Sequence, residues 1–130
     1  MPGPVAAVTV TGLDHVVFNV ADVERSLRFY CDELGLVAVR VDEWRRNEVF
    51  LPSVRVDEAT IIDLVPLART GENADHICLV VEPTDLAALK ASGRFEVVDG
   101  PDRRFGARGD GTSLYIRDPD ANLVELRYYE

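Results

Sequence analysis

Two histidines and two carboxylates stand at related places in this 130-residue chain. His15 lies in Leu13-Asp14-His15-Val16 and His76 in Ala74-Asp75-His76-Ile77; Asp63 lies in Ile61-Ile62-Asp63-Leu64 and Glu125 in Leu123-Val124-Glu125-Leu126. His76 follows His15 by 61 positions and Glu125 follows Asp63 by 62, so one shift of about half the chain superposes both pairs. Each polar residue interrupts an apolar run. Burying an unpaired carboxylate there costs on the order of several kcal/mol unless a cation or a hydrogen-bond network compensates. A divalent metal held by His15, His76, Glu125 and Asp63 would compensate. Two imidazoles with one or two carboxylates suit Zn, Ni, Mn or Fe(II), and positions left open would take water or oxygens of a small substrate. A single strand histidine is more often a hydrogen-bonded core residue. The repeat argues otherwise, because the chain's only two histidines occupy equivalent positions.

The elements that must hold these residues follow from periodicity. Residues 13–20 alternate, with His15, Val17 and Asn19 on one face and Val16, Phe18 and Val20 on the other, which is a strand. Asp22 reads as an N-cap, and Val23, Leu27, Tyr30, Cys31 and Leu34 form one apolar helical stripe that Gly35 terminates. Residues 36–44, 47–51 and 59–65 are expected as three further strands. The second half repeats this order: a strand at 75–81, a helix introduced by Pro83-Thr84 and carrying Leu86 and Leu89 as far as Gly93, then strands near 95–98, 112–117 and 122–129. Asp118 to Asn122 is a turn of Pro and Asx residues that makes the last two strands a hairpin. Gly100 to Thr112, with four glycines and three arginines, reads as a long loop beside that hairpin, either solvated surface or an arginine-bearing lid.

The fold class is therefore α+β, one domain spanning the chain, built from two βαβββ modules at about 11–69 and 74–129. Each module alone would be marginal, so the two must share a core. Composition agrees with an ordered globular protein, 47% hydrophobic and 28% charged. The net charge of −9 argues against a nucleic-acid partner, whose phosphates would need clustered Lys and Arg. No stretch approaches the ~18 apolar residues of a membrane span, and the first ten residues lack a basic segment before their apolar ones. A soluble, cytoplasmic protein is expected. Cys31 and Cys78 have no CxxC spacing and read as buried reduced thiols.

The Asp-His repeat, Ser26-Leu27-Arg28-Phe29-Tyr30 before Leu34-Gly35-Leu36, and the run from Tyr115 through Asp118-Pro119-Asp120-Ala121-Asn122 to Leu126 together resemble the vicinal oxygen chelate superfamily. That group holds glyoxalase I, extradiol dioxygenases, methylmalonyl-CoA epimerase, fosfomycin resistance enzymes and bleomycin resistance proteins. The likeness covers about residues 11–129. It implies curved sheets forming a half-open barrel around a divalent metal, commonly in a homodimer. By position, His15, His76 and Glu125 match the family's ligands. Asp63 lies where glyoxalase I-like members carry Glu; one methylene shorter, it stands as the less direct ligand. Ala121 stands where a Gly is usual.

Three kinds of function follow from the resemblance. A glyoxalase-like lyase or isomerase would use the metal as a Lewis acid on two oxygens of a small substrate, with Asp63 or Glu125 as the base and an enediolate-type intermediate. An extradiol dioxygenase would use Fe(II) or Mn(II) with Tyr115 near the substrate, although that family adds a histidine and this chain has used both of its own. An antibiotic resistance protein would either transfer a group to fosfomycin, with Arg108 and Arg117 around the anionic drug, or sequester a bulky cation of the bleomycin kind, to which Trp44 and the acidic charge are suited. The first reading is preferred.

Overall fold

The computed structural model describes residues 5–68, 71, 73–117, 119 and 121–130. Strands β1 (Val10–Asn19), β2 (Val37–Val39), β3 (Ser53–Arg55), β4 (Ile61–Val65), β5 (Ala74–Val81), β6 (Val97–Gly106), β7 (Gly109–Arg117) and β8 (Leu123–Tyr128) form one mixed sheet in the order β2-β3-β4-β1-β5-β8-β7-β6. The repeat is visible in that order. β1 pairs parallel with β4, β5 pairs parallel with β8, and the two leading strands β1 and β5 lie side by side and antiparallel.

Alternation sends successive side chains to opposite faces of this sheet. One face carries the helices and the apolar clusters. Val54 and Leu64 pack with Val23, Leu27 and Val41 in the first half; Leu114, Ile116 and Leu126 pack with Val81 and Leu86 in the second. The opposite face carries His15, Asp63, Ser113, Glu125 and Arg127, all buried. The sheet curls without closing: Arg40, just past edge strand β2, brings its guanidinium 4.1 Å from the ring centroid of Phe105 on edge strand β6.

Two of the packing helices are capped by aspartates, at Asp22 as expected and at Asp85, just after Pro83-Thr84. Asp22 accepts from Arg25 N (3.1 Å) at the start of α1 (Val23–Leu27), and Asp85 accepts from Ala88 N (3.0 Å) at the start of α3 (Leu86–Ala91). Such caps contribute about 1 kcal/mol each. α1 runs on as a π-helical segment, Arg28–Glu33, and Gly35 follows with φ 77°. That wider turn is not visible in an apolar stripe.

Three expectations need correction. Residues 36–44 are not one strand. β2 ends at Val39, Arg40 takes a left-handed conformation, and α2 (Val41–Arg45) follows. Val37, Val39 and Val41 suggest period two, but Val41 and Trp44, three apart, pack toward the core on a helix. Residues 47–51 are not a strand either; the positive φ of Asn47 ends α2, and the strand comes later at Ser53–Arg55. Gly100–Thr112 is not a loop. It is most of the β6–β7 hairpin, turning at Ala107-Arg108 between Gly106 and Gly109. Asp118 and Asp120 of the expected final turn, and residues 69, 70 and 72 between the two expected modules, lie outside the described residues.

Candidate metal centre

The register aligns the site. His15 pairs with Cys78, Cys78 with Glu125 and Glu125 with Tyr115, while Asp63 and His76 both pair with Val17 one step along. His15, His76, Asp63 and Glu125 thus come from four adjacent central strands. The Nε2 atoms of His15 and His76 approach the same oxygen, Glu125 Oε1, at 3.1 and 3.0 Å. Asp63 Oδ2 is further, 3.8 Å from His15 Nε2.

Each histidine is aimed by the residue before it. His15 Nδ1 lies 2.7 Å from Asp14 Oδ2 and His76 Nδ1 lies 2.7 Å from Asp75 Oδ2. Strict alternation would send neighbours to opposite faces. The ladder between β1 and β5 avoids this by a register shift at each place. Asp14 is the extra residue where Leu13 pairs with Leu79 and His15 with Cys78; Asp75 is the extra residue where Val17 pairs with His76 and Phe18 with Ala74. Bulges of this kind re-aim side chains, and a carboxylate on Nδ1 directs the Nε2 lone pair inward. The duplicated Asp-His is legible in the sequence; the role of its Asp is not, because alternation alone places it on the far face.

The two dyads differ in depth. Asp14 is fully buried and also accepts from Ala107 N (2.9 Å), from the Tyr129 hydroxyl and from Arg127 Nη1 (3.4 Å). Arg127, itself fully buried, donates to the carbonyls of Phe105 (3.1 Å) and Arg104 and lies 3.7 Å from Glu125 Oε2. Room for this guanidinium comes from Gly106, where a Cβ would meet Arg127 Nη1 at 1.7 Å, and from Gly111, where it would meet Arg127 Nε at 2.9 Å. Asp75 is 40% exposed.

The carboxylates at the matched positions are perturbed in opposite directions. Burial opposes ionisation of Glu125, but hydrogen bonds from both imidazoles and from Ser113 Oγ (2.7 Å) outweigh it and hold the carboxyl well below its ordinary range. Asp63 is pushed upward by burial, which the imidazole charges and the Ser53 hydroxyl (2.5 Å) only partly offset. Burial also opposes the charged form of His15, yet Asp14, Cys78 and Glu125 together raise it to about 12; His76 shifts upward for the like reason, through Glu125 and Asp75. Burial lifts the Cys78 thiol to about 12, so it is an inert neighbour of His15.

A cavity of about 380 Å³ opens over these groups, lined by Val17, Val65, Phe50, Leu51, Leu67 and Phe105 as well as the four site residues, with Tyr115, Asp75, Arg40 and Arg104 around them. Tyr115 sets its ring edge-on to His76, 5.5 Å between centroids. Arg108 and Arg117, expected around an anionic ligand, do not line this cavity. Arg108 stacks over Tyr129 (4.3 Å) beside a separate groove, because the hairpin turn carries it past the end of the sheet. Arg117 donates to Ala121 O (3.1 Å) near the sheet's other end. Arg40 and Arg104 line the cavity instead; Arg104 belongs to the arginine-bearing segment 100–112, whereas nothing in the periodicity of 36–44 singles out Arg40.

The donor set fits a divalent cation: two imidazoles with Nδ1 anchored and Nε2 convergent, and one ionised carboxylate, all within 4.8 Å of one another. No described helix is long and apolar enough to cross a membrane.

Comparison with known proteins agrees with this architecture. The virulence protein STM3117 of Salmonella typhimurium is 29% identical over 120 residues, 90% of this chain and 83% of that one. A probable lactoylglutathione lyase of Synechocystis is 30% identical over 123 residues, 86% of this chain and 91% of that one. Among solved structures, the Mn(II)-bound glyoxalase of Novosphingobium aromaticivorans superposes with a TM-score of 0.68 at 25% identity, covering 93% of this chain and 40% of the larger one. Residues 12–126 match the family profile, and the chain belongs to the Glyoxalase/Bleomycin resistance protein/Dioxygenase superfamily.

Proposed function

We propose that this protein is a divalent-metal-dependent lyase or isomerase of the glyoxalase type, moving a proton at a carbon beside two adjacent oxygens of a small substrate. The observation that carries the proposal is the division between Glu125 and Asp63. Glu125 is kept ionised and shared by two imidazoles, which suits a ligand. Asp63, 3.8 Å from His15 and raised by burial, suits a general base whose affinity for a proton is brought nearer to neutrality. A metal held by His15, His76 and Glu125 would supply a Lewis acid for the substrate oxygens. Asp63 would take the proton from carbon at Oδ2, while Ser53 Oγ holds Oδ1 and fixes the carboxylate plane. Leu51 and Phe105 present apolar surface to the cavity beside these groups, which lowers the polarity around each electrostatic contact.

Tyr115 supports a second reading, an extradiol dioxygenase, because its hydroxyl-bearing ring lies against His76 inside the cavity. Sequestration of a cationic drug is disfavoured by the two arginines there. A cytoplasmic homodimer belongs to the same proposal, with light scattering as the measurement of its assembly.

The test is metal loading followed by elemental analysis, then carbon–deuterium exchange in heavy water with a panel including methylglyoxal hemithioacetal and catechol. Asp63→Asn should keep the metal and lose exchange; His15→Ala should lose the metal. Loss of metal from Asp63→Asn, or ring cleavage of catechol with Fe(II), would overturn the lyase assignment.

A further inference from the structure

We propose that Arg40 is the anion-recognition residue of this cavity and that the substrate is a small organic acid, its carboxylate held by Arg40 while its adjacent oxygens face His15, His76 and Glu125. This rests on the metal-centred reading above and adds the substrate class to it.

Three observations converge on Arg40. Its backbone is left-handed, φ 61° and ψ 23°, a conformation that costs a non-glycine residue on the order of 1 kcal/mol and tends to persist where function requires it. Its guanidinium stacks on the Phe105 ring at 4.1 Å, and among the described residues no carboxylate reaches it. Arginine stacked by its face keeps its N–H groups in the plane, where they can fork onto a carboxylate. Finally, it lines the same cavity as His76 and Glu125, where its guanidinium bridges from the end of edge strand β2 to Phe105 on edge strand β6.

Arg104 is the contrasting neighbour. Its Nη2 is already engaged by Asp99 (3.1 Å) and Asp102 (3.6 Å), so it is the weaker candidate for a ligand carboxylate. The acidic groups facing the cavity each have a partner of their own: Asp75 is held by His76, Asp63 by Ser53, and Glu125 by the two imidazoles. On a chain of net charge −9, an arginine kept clear of acidic neighbours marks a local reversal of sign. The volume of about 380 Å³ lies at the small end of ligand cavities, which suits an acid of few carbons.

The experiment is calorimetric titration of the metal-loaded protein with catechol and with 2,3- and 3,4-dihydroxybenzoate, which share two adjacent oxygens and differ by a carboxylate. At least one acid should bind tenfold or more tightly than catechol, and Arg40→Met should erase that preference while catechol affinity changes less than twofold. Phe105→Leu, which leaves the charge but removes the stack, should reduce the preference part of the way, and Arg104→Met should leave most of it. Equal binding of acids and catechol by the wild type, or a preference that survives Arg40→Met in a folded protein, would overturn the proposal. Binding of the acids without metal, still dependent on Arg40, would uphold Arg40 and overturn the metal-centred reading. Catechol binding that needs metal with no preference for the acids would do the reverse.

Discussion

Asn at position 14 and Asn at position 75 make the same chemical change at the two matched places of the repeat, and the structure requires different costs. Asp14 Oδ2 accepts His15 Nδ1 (2.7 Å), Ala107 N (2.9 Å) and Arg127 Nη1 (3.4 Å), and its Oδ1 accepts the Tyr129 hydroxyl, in a pocket where Asp14 and Arg127 are both 0% exposed. In Asp14→Asn the amide retains one acceptor oxygen and turns an NH2 toward groups that are donors. Arg127 keeps two carbonyls and Glu125 Oε2 at 3.7 Å, but loses its nearest opposite charge. Removing one partner of a buried ion pair costs about 3–5 kcal/mol, and the carbonyls that stay with Arg127 favour the lower end, about 3 kcal/mol. The side chain of Asp75 is 40% exposed, so water can replace what Asp75→Asn removes, and the loss should stay under about 1 kcal/mol. Urea unfolding of the two metal-free variants and the wild type at pH 7, followed by circular dichroism, gives both values from the midpoints at constant slope. Equal losses, or an Asp14→Asn loss below about 1 kcal/mol, would refute the assignment of Asp14 and Arg127 as a buried pair.

Gly106→Ala should be as damaging as Asp14→Asn although it adds only a methyl group, since that carbon would sit 1.7 Å from Arg127 Nη1 and 2.6 Å from Asp14 Oδ2; a thermal midpoint within 2 °C of wild type would contradict this packing, the expected loss being about 3 kcal/mol. Ala121→Gly should stabilise by about 1 kcal/mol, because Ala121 has φ 66° and a glycine relieves more strain than it costs in chain entropy; an unchanged urea midpoint would show the turn to be unstrained. In the metal-free protein the His15 imidazole is raised from its ordinary value near 6.5 to about 12, so its contribution to stability is full below pH 6.5 and is lost as pH rises toward 12. A divalent ion competes with that proton, so metal affinity should increase with pH and loading should release protons, read by calorimetry in buffers of different ionisation heat; uptake without proton release would count against His15 as a ligand.

Strands β1, β5 and β8 are legible because from His15, His76 and Leu123 onward each alternates between an apolar face and a face carrying the site residue. What alternation hides is its own interruption. Asp14 and Asp75 share a side with the histidines they precede only because each is the extra residue of a bulge, and a strictly periodic reading assigns them to the far face. The glycines between 100 and 112 suggest a loop, yet Gly106 and Gly111 lie in a hairpin and clear space for a side chain distant in sequence, which composition cannot distinguish from a loop. Periodicity puts Arg40 within a strand because Val37, Val39 and Val41 flank it at even spacing, and a left-handed arginine has no local signature. Arg127 had one: a cation two positions from Glu125 on the same strand must share its face.

The repeat itself explains why two carboxylates that began as equivalents now differ. Each is served by a serine on the adjacent antiparallel strand, Ser53 for Asp63 and Ser113 for Glu125, so the support is duplicated along with the carboxylate. The difference lies in reach. Glu125, longer by one methylene, extends to within 3.1 Å of both imidazoles and gains enough positive neighbours to remain ionised despite burial. Asp63 stops 3.8 Å from His15, keeps the burial penalty and loses most of the compensation. A single CH2 group thereby converts a symmetric pair of candidate ligands into one group suited to hold a cation and one suited to hold a proton.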